Sequence, residues 1–223
     1  MIRAYTGKPG NGKSYHLARD IRKYLRKGKN VFCNVEIDVS KIKPRGKKPL
    51  GNFFFVDSQK MGKEDFCEGL MGFALNFHQK NKKGEFVKGK EGQSLLIMDE
   101  AQDEILLNAR TWNNPTRREF NNFFSKHRHY SFDVLLVTQD IANLDKQTCK
   151  YIQYYEEHRK MANYKVFGKI ITLLCGSQLF IIIKRDMALK RSPKLARMGS
   201  YVIKANKRIY DMYNSYVVVD TRR

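Results

Sequence analysis

Residues 7–14 read Gly-Lys-Pro-Gly-Asn-Gly-Lys-Ser, set between a short apolar run, Ile2 to Tyr5, and an amphipathic one. The octet fits G-x-x-x-x-G-K-[ST] at every fixed position. Glycines there let the backbone curl until its amide N–H groups face one point, and the helix that follows adds the positive end of its dipole. Such a cradle takes a phosphate. Lys13 would reach the β- and γ-phosphates, and the Ser14 hydroxyl would ligate Mg²⁺. Gly7, Lys8, Pro9, Gly10, Asn11, Gly12, Lys13, Ser14 and Tyr15 are therefore the expected nucleotide contacts. A chance glycine loop beside a lysine is the bland alternative; the strand before Gly7 and the helix from Lys13 weigh against it.

The second constraint is Leu95-Leu96-Ile97-Met98-Asp99-Glu100, an apolar strand that ends in two carboxylates. The carboxyl end of a parallel strand is the rim where phosphates lie. Asp99 would hold Mg²⁺ through water, and Glu100 would orient or deprotonate the attacking water. Alone, the run could be a strand with a solvated end; after a phosphate loop it reads as its partner. Val134 to Val137 followed by Thr138-Gln139 repeats the pattern. Gln139 is preferred to Thr138 as a sensor, because its longer amide can bridge water and γ-phosphate. Arg110, Arg117, Arg118 and Arg128 lie between these strands, and Arg128 is the preferred finger toward a neighbouring subunit's nucleotide. His127 and His129 flank Arg128, and no further ligands converge in sequence to make them a metal site.

The remaining pattern alternates strands and helices. Helical spacing follows Lys13 and ends at Gly28; strands are expected over Val31–Ile37 and Phe53–Val56, and helices over 63–80, 116–128 and 143–159. Such alternation indicates an α/β fold, a mostly parallel sheet covered on both faces. Val166 to Leu174 and Leu179 to Ile183 flank Gly176-Ser177 and read as a β-hairpin, with a last strand over Tyr216–Val219. The expected organisation is a core over residues 1–165 and a basic C-terminal extension over 166–223.

Charge bears on partners. Lys and Arg number 43 against 22 Asp and Glu, a net +21. So large an excess repels itself, and a polyanion, nucleic acid or anionic lipid, would relieve it. Basic segments at 41–48, 80–90 and 184–197 lie near Phe53, Phe86 and Tyr201, a mixture that can stack bases while contacting phosphates. Solvated loops are the plainer reading of each segment alone. Cys33, Cys67, Cys149 and Cys175 are too scattered for a structural zinc site or a disulfide framework, which suits reduced thiols in a cytosol. The apolar stretch Ile170 to Ile183 is interrupted by Gly176-Ser177-Gln178, and crossing a bilayer takes about 20 residues. A soluble chain is expected.

Four stretches together resemble the Zot (zonula occludens toxin) family of filamentous-phage morphogenesis proteins. They are Thr6 to Ser14, Leu96 to Gln102, His127 to Asp133 running into Leu136 to Gln139, and Ile209 to Ser215. The resemblance implies a P-loop NTPase of FtsK/HerA-like type, ring assembly, and ATP-driven export of single-stranded phage DNA through the inner membrane. Family members continue past this region into a transmembrane helix and an outer domain. Residues up to Arg223 include neither, so packaging stands beside extrusion as an expected role, at the host cytosol or the inner face of its membrane. Two other classes compete. One is an ATP-switched scaffold at a membrane surface that recruits coat or export proteins. The other is a small-molecule kinase, for which no acceptor pocket is evident.

Overall fold

The computed structural model describes residues 1–84, 92–110 and 115–213. In chain order its elements are β1 (Ile2–Thr6), α1 (Lys13–Leu25), β2 (Asn30–Cys33), β3 (Phe53–Phe55), α2 (Ser58–Met61), α3 (Phe66–Phe77), β4 (Ser94–Met98) and α4 (Pro115–Lys126). There follow β5 (Phe132–Val137), α5 (Lys146–Tyr151), β6 (Tyr154–Lys160), α6 (Lys165–Leu174), β7 (Leu179–Asp186), β8 (Arg197–Lys204) and α7 (Lys207–Tyr210). Among the described residues the strands form one eight-stranded sheet in the order β3-β2-β4-β5-β1-β6-β7-β8. The strands from β3 to β6 are parallel; β7 and β8 add an antiparallel edge.

The period of two along each strand separates two cores. Ile2, Ala4, Leu96, Met98, Val134 and Leu136 face α3 and α4, where Leu70, Phe120, Phe123 and Phe124 cover them. Tyr5, Leu95, Ile97, Leu135 and Val137 face α1, where Leu17, Ala18, Ile21 and Leu25 cover them. Both faces being covered, β4 is buried throughout, which is why its sequence is an unbroken apolar run. Each large side chain so buried contributes about 1.5–3 kcal/mol.

Helix α1 begins where Gly12 takes φ 93°, and its first turn carries no carboxylate, so nothing acidic offsets its positive end. Arg22 and Lys23 in its last turn complement the other end.

Three expectations need correction. The helix foreseen over 143–159 is α5 followed by β6: Asp145 caps α5 through Gln147 N and Thr148 N, both at 3.0 Å, and Ile152 is already extended. Strand β6, Tyr-Tyr-Glu-Glu-His-Arg-Lys, pairs with β1 and hides its strand character behind charged residues. Val166 to Leu174 is not a hairpin arm but most of α6; Gly176, at φ 62°, ends the helix by donating to Leu173 O at 3.0 Å. The C-terminal antiparallel pair is β7 with β8. The strand over Val31–Ile37 stops at Cys33. Tyr216–Val219, Phe86, most of the basic segment at 80–90 and Asn214-Ser215 lie outside the described residues.

Candidate nucleotide site

The order β4-β5-β1 brings three carboxyl ends side by side: Asp99-Glu100 after β4, Thr138-Gln139 after β5, and the loop from Gly7 after β1. Backbone bonds continue past the strands and fix the rim. Ala101 N donates to Val137 O at 2.8 Å, Thr138 N to Tyr5 O at 2.9 Å, and Gly7 N to Gln139 O at 3.1 Å.

Two glycines in the loop are required. Gly7 has φ 137°, and a Cβ there would stand 2.6 Å from His158 O. Gly12 has φ 93°, and a Cβ there would enter the Phe180 ring. Asn11 holds the loop from the side, donating through Nδ2 to His158 O at 3.0 Å and accepting from Asn163 Nδ2 at 3.3 Å. Lys13 Nζ donates to Gly7 O at 2.6 Å. Burial lowers the Lys13 pKa, and the carboxylates of Glu100 and Asp99 act against that shift, so the amine and both acids share one electrostatic neighbourhood.

Burial pushes the Asp99 carboxyl up to about 6; Glu100 adds to the rise, while the Glu100 amide and Lys13 oppose it. Asn34, at the end of β2, clasps the Asp99 backbone twice: Asp99 N donates to its Oδ1 at 2.7 Å, and its Nδ2 donates to Asp99 O at 2.9 Å. Glu100 is exposed at φ 49°, with the Gln102 amide bonded to its carboxylate. A hydroxyl on the first turn of α1 (Ser14) and a carboxylate at the end of β4 (Asp99) are hard oxygen donors, a set that suits Mg²⁺.

Beside the loop, between the ends of β5 and β6, lies a cavity of about 590 Å³ whose walls include Lys8, Gln139, Arg159 and Tyr164. Asp99, Glu100 and Ser14 do not line it.

This rim, with its order of strands, is that of a P-loop NTPase. The family described as zonular occludens toxin (Zot) matches residues 1–219. The chain belongs to the Zot family. Its curated relatives include the Gene 1 proteins of Enterobacteria phage I2-2 and Salmonella phage IKe, 25% and 23% identical over 178 residues. Each match takes in 78% of this chain and 45% of the relative, so the chain spans about half the length of the curated relatives it matches. Among solved structures, the N-terminal domain of zonular occludens toxin from Neisseria meningitidis superposes with TM-score 0.52 at 18% identity, over 96% of this chain and 98% of that one. The DNA-packaging ATPase B204 of Sulfolobus turreted icosahedral virus gives 0.51 at 16% identity, over 92% and 97%. At these identities the likeness establishes the fold.

Not every expected site residue joins the rim. The Tyr15 ring is buried in the core against Phe180 and Tyr210, and its hydroxyl accepts from Asn206 N at 2.9 Å, which leaves its amide as the group near the loop. Thr138 is buried and donates its hydroxyl to Asp140 O at 2.9 Å, whereas Gln139 is exposed. Arg128 is exposed in the turn before β5, at the amino ends of the strands and thus across the sheet from the loop of its own chain. Arg117 is bound to Asp145 at 2.6 Å; Arg110 and Arg118 are exposed.

The basic segments divide. Residues 43–49 are exposed; Arg185, by contrast, is bonded to Glu157 Oε2 at 3.1 Å and to Pro193 O at 2.6 Å, and Lys184 lies 3.6 Å over the Tyr154 ring. The Tyr201 hydroxyl donates to Glu156 at 3.0 Å, and Phe53 packs on the α1-side core. Among the described residues no helix is long and apolar enough to cross a membrane.

Asn34, His158 and Asn163 are site residues that the sequence reading missed. Asn34 was concealed inside the strand expected over Val31–Ile37, which the structure ends at Cys33. His158 was concealed by the helical reading of 143–159, and Asn163 follows that span with no motif to mark it.

Proposed function

We propose that this chain is a Mg²⁺-dependent ATP hydrolase that powers the movement of phage DNA, single-stranded in the first instance, during assembly, extrusion or packaging. The observation that carries the reading is the shared neighbourhood of Lys13, after β1, with Asp99 and Glu100, after β4, at carboxyl ends separated by β5 alone. In it Lys13 leaves Gly7 O for the β- and γ-phosphates, and the amides of the loop and of the first turn of α1 bind the remaining oxygens. Ser14 and Asp99 would hold Mg²⁺, which supplies charge neutralisation on the phosphates when bound. Glu100, exposed beside them, takes the proton of the attacking water, and Gln139 orients that water. The cavity by Tyr164 takes the base. Arg128, remote from its own loop, is assigned to the nucleotide of a neighbouring subunit in a ring. That the curated relatives are phage proteins and that B204 is a DNA-packaging ATPase supports the partner class.

The test is ATP turnover with and without single-stranded and duplex DNA, read beside oligomeric mass. Lys13→Ala should abolish turnover and leave the fold intact by circular dichroism. Full activity in that variant would end the assignment.

A second reading, an ATP-switched scaffold at the inner face of the membrane, is favoured by α6. Its Val166, Leu173 and Leu174 are 67%, 81% and 82% exposed in a strongly basic chain. ATP-dependent flotation with anionic vesicles, without DNA-stimulated turnover, would select it.

A further inference from the structure

Beneath the phosphate loop, three buried side chains from two elements turn their donor atoms toward one point. His16 comes from the first turn of α1, and Glu156 and His158 come from β6; they are 4%, 6% and 0% exposed. His16 Nδ1 lies 2.9 Å from His158 Nε2 and 3.7 Å from Glu156 Oε2, and the three ligand atoms all fall within 4.8 Å of one another. A tetrahedral ion with bonds of about 2.0–2.1 Å needs ligand atoms about 3.3 Å apart, so the two rings need open by only a few tenths of an ångström.

Each ligand is also fixed from behind, as metal ligands are. His158 Nδ1–H donates to Glu156 O at 2.9 Å and faces Thr6 O at 3.3 Å, which leaves Nε2 as the lone-pair atom. The Tyr201 hydroxyl donates to Glu156 Oε2 at 3.0 Å. His16 Nε2 lies 3.4 Å from the Tyr5 oxygen, whose own proton goes to Asp20 at 2.7 Å.

Charge points the same way. The close contacts of Glu156 are a tyrosine hydroxyl and an imidazole, while Arg3, bonded to Asp20, and Lys184 act on it through space. A buried carboxylate beside two imidazoles is a donor set suited to a divalent cation.

We propose that His16, His158 and Glu156 form a buried site for one divalent transition-metal ion, with zinc the best match to two imidazoles and one carboxylate. The proton between the rings moves from His16 Nδ1 to Nε2, where the Tyr5 oxygen accepts it. The ion ties α1 to β6 directly under Gly7, a structural role that does not depend on the nucleotide assignment.

The experiment uses tag-free protein stripped by chelator, equilibrated with Zn²⁺ or Co²⁺ and dialysed. One ion per chain is expected by elemental analysis, with visible Co²⁺ bands of four-coordinate intensity and a zinc-dependent rise in melting temperature. Glu156→Gln and His158→Ala should each weaken binding by about tenfold or more. Lys13→Ala should leave the stoichiometry unchanged, which separates this site from the phosphate loop. If His158→Ala does not fold, the near-isosteric Glu156→Gln carries the test. Failure of the wild-type chain to retain zinc at micromolar free ion, or undiminished binding by Glu156→Gln, overturns the proposal.

Discussion

Glu100 adopts φ 49°, a conformation that costs a residue with a side chain roughly 1–2 kcal/mol. Strain held at the tip of β4 makes sense if the carboxylate must reach a water molecule. Glu100→Gln keeps the size and removes the base. It should bind ATP as the wild type does and lose about 10²–10⁴-fold in turnover, read by nucleotide titration beside phosphate release. Unchanged turnover would strip Glu100 of the role. Asn34 acts at one remove, through its two bonds to the Asp99 backbone. Asn34→Ala should lower stability by about 1–3 kcal/mol in urea titration and raise the Mg²⁺ concentration needed for half-maximal turnover. If the variant loses stability but its Mg²⁺ requirement is unmoved, Asn34 supports the fold alone. Lys13, Asp99 and Glu100 were legible in the sequence because the loop is contiguous and the acids end an apolar run. Asn34 and His158 were not, because each works through backbone atoms of a strand distant in sequence.

At the scale of elements, the central strands were legible because burial on both faces writes them as apolar runs. Strand β6 was not, since Glu156 and His158 are buried in a polar network and leave a pattern that resembles a solvated helix. Helix α6 was misread for the opposite reason. Its β-branched Val166, Ile170 and Ile171 favour extended chain locally, and the glycine that ends the helix resembles a hairpin turn. The junction of α4 and β5 yields a pH prediction. Burial holds the His127 ring at about 4, and its Nδ1–H donates to Phe124 O at 2.6 Å. A depressed folded-state pKa means that the native state favours the neutral ring. The stability it confers is complete above about 6.5 and is lost as pH falls toward 4. Melting temperature should therefore fall between pH 7 and 5. His127→Asn, which keeps a donor for Phe124 O, should flatten that fall in part, because His16, His78 and His158 are buried too. An identical pH profile in the variant would remove His127 from the account.

For the whole molecule, the net +21 fixes an expectation for partners. A chain that neutralises 6–10 phosphates of duplex DNA should lose about 10³–10⁵ in affinity between 50 and 200 mM salt, with a shallower slope on single strands. Fluorescence anisotropy across that range measures it, and a flat response would move the positive charge to another use. The charge was plain in the sequence; its division between exposed residues 43–49 and the internally bonded Arg185 was not. Gly7 abuts the carbonyl of His158 and Gly12 abuts the ring of Phe180, so the cradle is wedged between neighbouring strands with no room to give. Those strands, β6 and β7, lead outward to β8, the last strand of the sheet among the described residues. A load applied at β8 passes inward through two paired strands to the cradle, which then serves as a fulcrum: whatever grips that strand is mechanically coupled to the proposed nucleotide site.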